Sequence, residues 1–218
     1  MTFLVIANFK SNKTQNEVKT WIKSVHPSPH MVIAPSFPHL ALIHALMPSF
    51  SLCAQDVSPF PPGAYTGAVN AAQLKDLAVS YAIVGHTERR HYFHETAPAI
   101  AAKVKELLAF DIKPIVCLER HDIASTFSAL DDEYYAKCIY CFEPSKDIGG
   151  TVTAPLDSIL DVKAMVEKYV PNAQFMYGGS VNASHISDLL RLGLSGVLVS
   201  TASLKSSSFN DILSLLSC

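Results

Sequence analysis

The chain has 218 residues, 49% hydrophobic and 17% charged, with a formal net charge of −2 and a pI near 6.5. That is enough apolar chain to bury a core and too much for intrinsic disorder, and without a basic excess or a basic run it lacks the footprint of a nucleic-acid or anionic-membrane binder. The N-terminal MTFLVIANFK places no basic segment ahead of an apolar run too short for a signal peptide or a membrane span, so the expected location is the cytoplasm, with the five cysteines reduced.

In chain order, short runs rich in Val, Ile, Leu and Phe read as strands at Phe3–Asn8, Met31–Ala34, Ser51–Gln55, Tyr81–Val84, Lys113–Cys117, Ile139–Phe142, Gln174–Tyr177 and Val197–Val199. They are mostly unalternating, as strands covered on both faces should be. Helical patterns lie between them at Ala99–Phe110, at a shorter Ile123–Leu130, at Leu156–Tyr169 with Ile159, Val162, Val166 and Tyr169 on one face, and at Ile186–Leu192. Eight alternating βα units predict a parallel sheet closed into a (β/α)8 barrel, a single domain over residues 1–218 that is shortened around its fifth helix. The connection Val57–Val69, with three prolines and two glycines, is long for its place and predicts a stiff projecting loop with a function.

In such a barrel the loops that follow the strands share one mouth. Asn8 and Lys10 follow the first strand, spaced so that strand alternation turns both the same way; His86 and Glu88 follow the fourth, Glu143 the sixth, Tyr177-Gly-Gly-Ser-Val181 the seventh and Ser200-Thr201 the eighth. An amide, a cation, an imidazole and a carboxylate around one cavity suit proton transfer beside a carbonyl. The carboxylate removes a carbon-bound proton, and the donors stabilise the enediolate that forms. The Gly178-Gly179-Ser180 turn offers backbone N–H groups to an anion such as phosphate.

NFKSN (8–12), AQD (54–56), GAYTG (63–67), VGHTERR (84–90), FEP (142–144), YGGSV (177–181) and GVLVSTASL (196–204) resemble, in order and over nearly the whole chain, segments of the triosephosphate isomerase family. The resemblance implies interconversion of dihydroxyacetone phosphate and glyceraldehyde 3-phosphate without a cofactor. It makes Glu143 the base, neutral His86 the electrophile that moves protons between the two oxygens, Lys10 a positive potential anchored by Glu88, and Asn8 the group that orients the oxygens. It further implies that N–H groups of Gly149, Ser180, Ser200 and Thr201 hold the phosphate, that Ile148 and Leu198 close over the base, and that Val57–Val69 inserts into a second subunit to make a homodimer. The chain departs from the family pattern at Ser200-Thr201, where Gly-Gly is usual, and in the lid at Ser145-Lys146-Asp147 and Gly149-Gly150-Thr151-Val152. Ala68 replaces a usual Glu, and Cys117-Leu118-Glu119-Arg120 lacks a usual glycine.

Two competing readings stand beside this one: a barrel of this family that binds phosphate compounds with little or no turnover, because of Ser200-Thr201 and the altered lid, and a different phosphosugar isomerase on the same fold. Cys138-Ile-Tyr-Cys141 has the C-x2-C spacing, but residues three apart on a strand face opposite sides and no second pair follows, so no metal site is expected. His91 and His94 read as surface histidines on a helix, and Arg89 and Arg90 as an ion-pair network at a helix start. No glycine-rich nucleotide loop is present.

Overall fold

Eight parallel strands close in chain order, the last pairing with the first; the computed structural model describes residues 2–144 and 153–216. The strands are β1 (Leu4–Asn8), β2 (Met31–Ala34), β3 (Ser51–Ala54), β4 (Val79–Val84), β5 (Lys113–Leu118), β6 (Ile139–Phe142), β7 (Gln174–Tyr177) and β8 (Gly196–Val199). The helices are α1 (Gln15–Ser24), α2 (Leu40–Leu46), α3 (Ala71–Asp76), α4 (Thr87–Tyr92), α5 (Ala97–Ala109), α6 (Ile123–Ala129), α7 (Asp132–Tyr135), α8 (Leu156–Glu167), α9 (Ala183–Arg191) and α10 (Ser206–Ser214). This is the expected (β/α)8 barrel, and only a 3-10 turn at Arg120–Asp122 and the short α6 and α7 stand between β5 and β6.

Period two along each strand sorts side chains between two cores. Ile6, Ile83, Cys117, Cys141, Met176 and Leu198 belong to the cluster inside the barrel. Val5, Ala7, Ile33, Val84, Val116 and Val197 belong to the outer core beneath the helices. Both parities are apolar because both faces are covered, which is why the strands show no alternation.

Several helix ends differ from the sequence expectation, each for a local reason. Helix α5 starts at Ala97 rather than Ala99, because Pro98 falls in the first turn, where a missing N–H is harmless, and Thr96 caps the Ala99 N–H. Helix α9 starts ahead of Ile186, at Ala183, with Asn182 accepting the Ser184 N–H. Helix α8 stops at Glu167, so Tyr169 lies beyond it and is 44% exposed instead of buried on its face. Helix α4 ends at Tyr92, which leaves His94 outside the helix with a φ of 53°. Helices α1 and α3 go beyond the expectation, although Thr14 with Glu17 and Asn70 with Gln73 form reciprocal capping boxes at their starts.

The barrel positions the site by continuing its inward rows past the strand ends. Ile6 leads to Asn8, Cys141 to Glu143, Met176 to Gly178 and Leu198 to Ser200, so the residues after four strands turn toward one mouth. Between β3 and α3, residues 60–68 are exposed, and Phe60 stacks on Tyr65 with ring centroids 4.5 Å apart. Among the described residues no helix is long and apolar enough to cross a membrane.

Candidate active site

Asn8, Lys10, His86, Glu143, Gly178, Ser180, Leu198, Ser200 and Thr201 line one pocket of about 180 Å3. Lys10 does not reach it by strand alternation, because β1 ends at Asn8 and Lys10 sits in a left-handed turn with φ 49°. That conformation is strained for a residue with a side chain and has to be held from outside. The Lys10 N–H donates to Asn8 Oδ1 at 3.0 Å, and Gln55 Nε2 donates both to the Lys10 carbonyl at 3.0 Å and to that of Ala34 at 2.8 Å. The ammonium is fixed by Glu88 Oε1 at 2.6 Å, as expected for an anchor. Gln55, in the AQD segment, is not among the expected site residues; the signal for it is the parity it shares with Cys53, which faces the barrel interior.

His86 comes to the mouth through Gly85, whose φ of 68° redirects the chain after β4. A Cβ there would stand 2.8 Å from Ile100 Cδ1 and 3.1 Å from the Cys117 carbonyl oxygen, so only glycine fits. His86 then caps α4: its Nδ1 accepts the Glu88 N–H at 3.2 Å. An accepting Nδ1 puts the ring proton on Nε2, which lies 3.1 Å from Glu143 Oε1 and donates to it. Burial of the ring opposes its charged form, but the charge and hydrogen bond of Glu143, joined by Glu88, outweigh burial and the opposing Lys10, and the balance lies above the ordinary histidine value. Charging the ring would break the Glu88 N–H bond to Nδ1, so the observed geometry is that of the neutral tautomer.

Glu143 is 1% exposed. Its Oε2 accepts the Thr87 N–H at 3.3 Å, and the Thr87 hydroxyl donates to its carbonyl at 3.3 Å. Room for the carboxylate depends on Gly178, where a Cβ would lie 2.9 Å from Glu143 Cγ and 2.9 Å from Cys141 Sγ.

At the other end of the pocket, Ser200 has φ −104° and Thr201 opens a 3-10 turn through Leu204. Neither residue is in the left-handed region, so a Cβ is accommodated at both. The turn is held by the N–H and hydroxyl of Ser203, which donate to the Ser200 carbonyl at 2.9 and 2.7 Å. Facing it, the Ser180 carbonyl accepts the Thr153 hydroxyl at 2.6 Å, and Tyr177 Oη accepts the Ala154 N–H at 2.9 Å. Leu198 is buried in the inner cluster and reaches the pocket wall. Ile148 and Gly149 lie outside the described residues.

The remaining expectations separate cleanly. Arg89 pairs with Asp56 at 2.8 Å and Glu95 at 3.3 Å, Lys103 joins both carboxylates, and Arg90 is tied to the carbonyls of Gly85 and Cys117. Both arginines are thus structural. Cys138 packs in the outer core and Cys141 in the inner one, which splits the C-x2-C pair.

A family model described as triosephosphate isomerase matches residues 3–216 of the chain. A triosephosphate isomerase of Mycoplasmopsis agalactiae is 34% identical, with 98% of this chain and 96% of that protein covered. That of Ehrlichia chaffeensis is 32% identical over 98% of this chain and 96% of its own length. A third, from Orientia tsutsugamushi strain Boryong, is 36% identical over 76% and 75%.

Proposed function

The chain belongs to the triosephosphate isomerase family, and from that premise we infer how its residues interconvert dihydroxyacetone phosphate and D-glyceraldehyde 3-phosphate. Glu143 takes the proton from the carbon beside the carbonyl and returns it to the neighbouring carbon. His86, neutral and protonated on Nε2, gives a proton to the developing oxyanion and takes one from the other oxygen. Lys10 lowers the energy of the enediolate through its charge, and Asn8 orients the oxygens. The observation that supports this division is the 3.1 Å contact of His86 Nε2 with Glu143 Oε1 in a pocket that Lys10 also lines. Substrate has to enter between these two groups, so the carboxylate exchanges His86 for a carbon acid as the complex forms.

Backbone N–H groups of Ser180, Ser200 and Thr201, with Gly149, hold the phosphate at the opposite end, and Leu198 with Ile148 keeps water from the base. Three curated relatives share one activity in their names, and none names an isomerase of a different sugar phosphate. The active form is a homodimer in the cytoplasm. Supporting the dimer, Tyr92 and Phe93 are 70% and 67% exposed, and Phe93 borders a cavity of about 290 Å3 beside Lys10 and Glu88 that would accept the aromatic arm of a second copy. The buried free thiols of Cys53, Cys117, Cys138 and Cys141 suit a reducing compartment.

The test is Glu143→Gln. A coupled assay should lose between about 10^2- and 10^4-fold in kcat, the range of a positioned general base, with the circular dichroism spectrum unchanged. Full turnover in that variant would assign the base elsewhere.

A further inference from the structure

We propose that Cys117, Cys141 and Glu143 form a binding site for a soft divalent cation of the zinc and cadmium class, seated directly beneath the catalytic mouth. One donor atom from each residue, two Sγ and a carboxylate oxygen, lie within 4.8 Å of one another, and all three residues are buried. Two thiolates with a carboxylate suit such ions, and a tetrahedral zinc with its usual sulfur and oxygen distances asks for donors roughly 3.5–3.8 Å apart. The three atoms therefore have to draw together by no more than ~1.3 Å.

Strand register creates the juxtaposition. Cys117 of β5 stands opposite Cys141 of β6, both face the barrel interior, and Glu143 follows Cys141 on the same parity. The partner of Cys141 is thus on the neighbouring strand and not at Cys138. Entry is through the mouth, whose wall includes Glu143 and Gly178. Gly178 lines the pocket and a Cβ there would come within 2.9 Å of the fully buried Cys141 sulfur, so the glycine leaves room for this thiol behind the pocket wall. The pocket side is also where a water or a substrate oxygen would complete the coordination shell.

Binding to the two thiols is an exchange: two metal–sulfur bonds form, two S–H bonds break, and two protons leave to solvent. An ion held there ligates the carboxylate and takes it from His86 and from substrate, so it inhibits. That last consequence rests on Glu143 being the base; the binding does not.

The experiment titrates cadmium into the reduced, chelator-washed protein. Expected are one equivalent bound, a thiolate-to-cadmium absorption band in the ultraviolet, release of two protons in weak buffer, and inhibition that a chelator reverses. The band should vanish in Cys141→Ala and persist in Cys138→Ala. An equal band in Cys141→Ala overturns the proposal, as does a wild type without a band whose five cysteines all react after unfolding. Should Cys141→Ala fail to fold, Glu143→Gln decides: affinity for cadmium must weaken by at least ~10-fold through the lost carboxylate, and unchanged affinity overturns the site. Stoichiometric binding that depends on Cys141 yet leaves turnover untouched would uphold the site and count against Glu143 as the base.

Discussion

Nε2 of His86 stands 3.1 Å from Oε1 of Glu143, so in the free protein the inferred electrophile and the inferred base are each other's partner. Their pairing is what lifts the imidazole against the effect of burial. An NMR titration of the His86 ring should therefore give a value above the ordinary ~6.5 in the free protein. In Glu143→Gln it should fall, because burial remains while the anion is gone. A titration that does not respond to Glu143→Gln would break the coupling. The sign for stability follows from the raised folded value: the contribution is fully present below the ordinary histidine value and is lost as pH rises through the folded one. For catalysis the same acid limb acts oppositely, since an imidazolium paired to the carboxylate withdraws both groups, and kcat/KM should drop as pH falls through the His86 value.

Gly178 is the position where the barrel leaves room for that pair. In Gly178→Ala the new methyl meets Glu143 Cγ and Cys141 Sγ at 2.9 Å, too close for either to stay. Overpacking of this kind costs about 1–3 kcal/mol, and displacing the base should lower kcat by roughly 10–100-fold, with KM changed less. A thermal melt and steady-state kinetics check both; an unaffected kcat would mean that Glu143 works from another position.

Lys10 is held twice, by backbone partners in its left-handed turn and by Glu88 at its ammonium. Glu88→Gln weakens the second restraint, since an uncharged amide oxygen replaces the carboxylate, and withdraws the smaller of the two charges that raise His86, while the residue-88 N–H that sets the His86 tautomer is retained. Activity should fall by roughly 10-fold and by no more than about 100-fold, the scale of a charge-assisted bond of ~1.5–3 kcal/mol, while Lys10→Met, which removes the cation itself, should fall further. Equal losses in the two variants would give Glu88 a role beyond anchoring.

The legible part of this molecule was its periodic part. All eight strands could be placed, with the largest boundary error at β4, which starts at Val79 ahead of the expected Tyr81, because an apolar run flanked by polar punctuation is a strong local signal. The residues after each strand then followed from barrel geometry. Features that depend on a backbone angle or on closure were not legible: the turn that aims Lys10, the tolerance of Ser200 and Thr201 for a Cβ, and the pairing of Cys117 with Cys141 across β5 and β6. Helix α1 lies outside the expected helices although its signals are local: Thr14 and Glu17 mark its start, and Val18, Trp21 and Ile22 its buried stripe.

The projecting loop yields the last prediction. Phe60 and Tyr65 are 48% and 43% exposed and lean mainly on each other, with rings stacked 9° from parallel. A monomer gains little from holding two aromatic rings in water at the tip of a proline-stiffened arm, whereas a second copy that buries them gains an anchor of the kind that dominates interfaces. The cavity beside Lys10, Glu88 and Phe93 is where such an anchor would seat, placing one copy's arm against the residues that hold the other's Lys10. The double variant Phe60→Ser/Tyr65→Ser should therefore sediment at half the wild-type mass at micromolar concentration and lose activity with it, while its far-ultraviolet spectrum stays native. Wild-type melting should rise with protein concentration and that of the variant should not, since only an associating native state is stabilised by mass action. A wild type that sediments as a monomer at full specific activity would remove the arm from the catalytic unit.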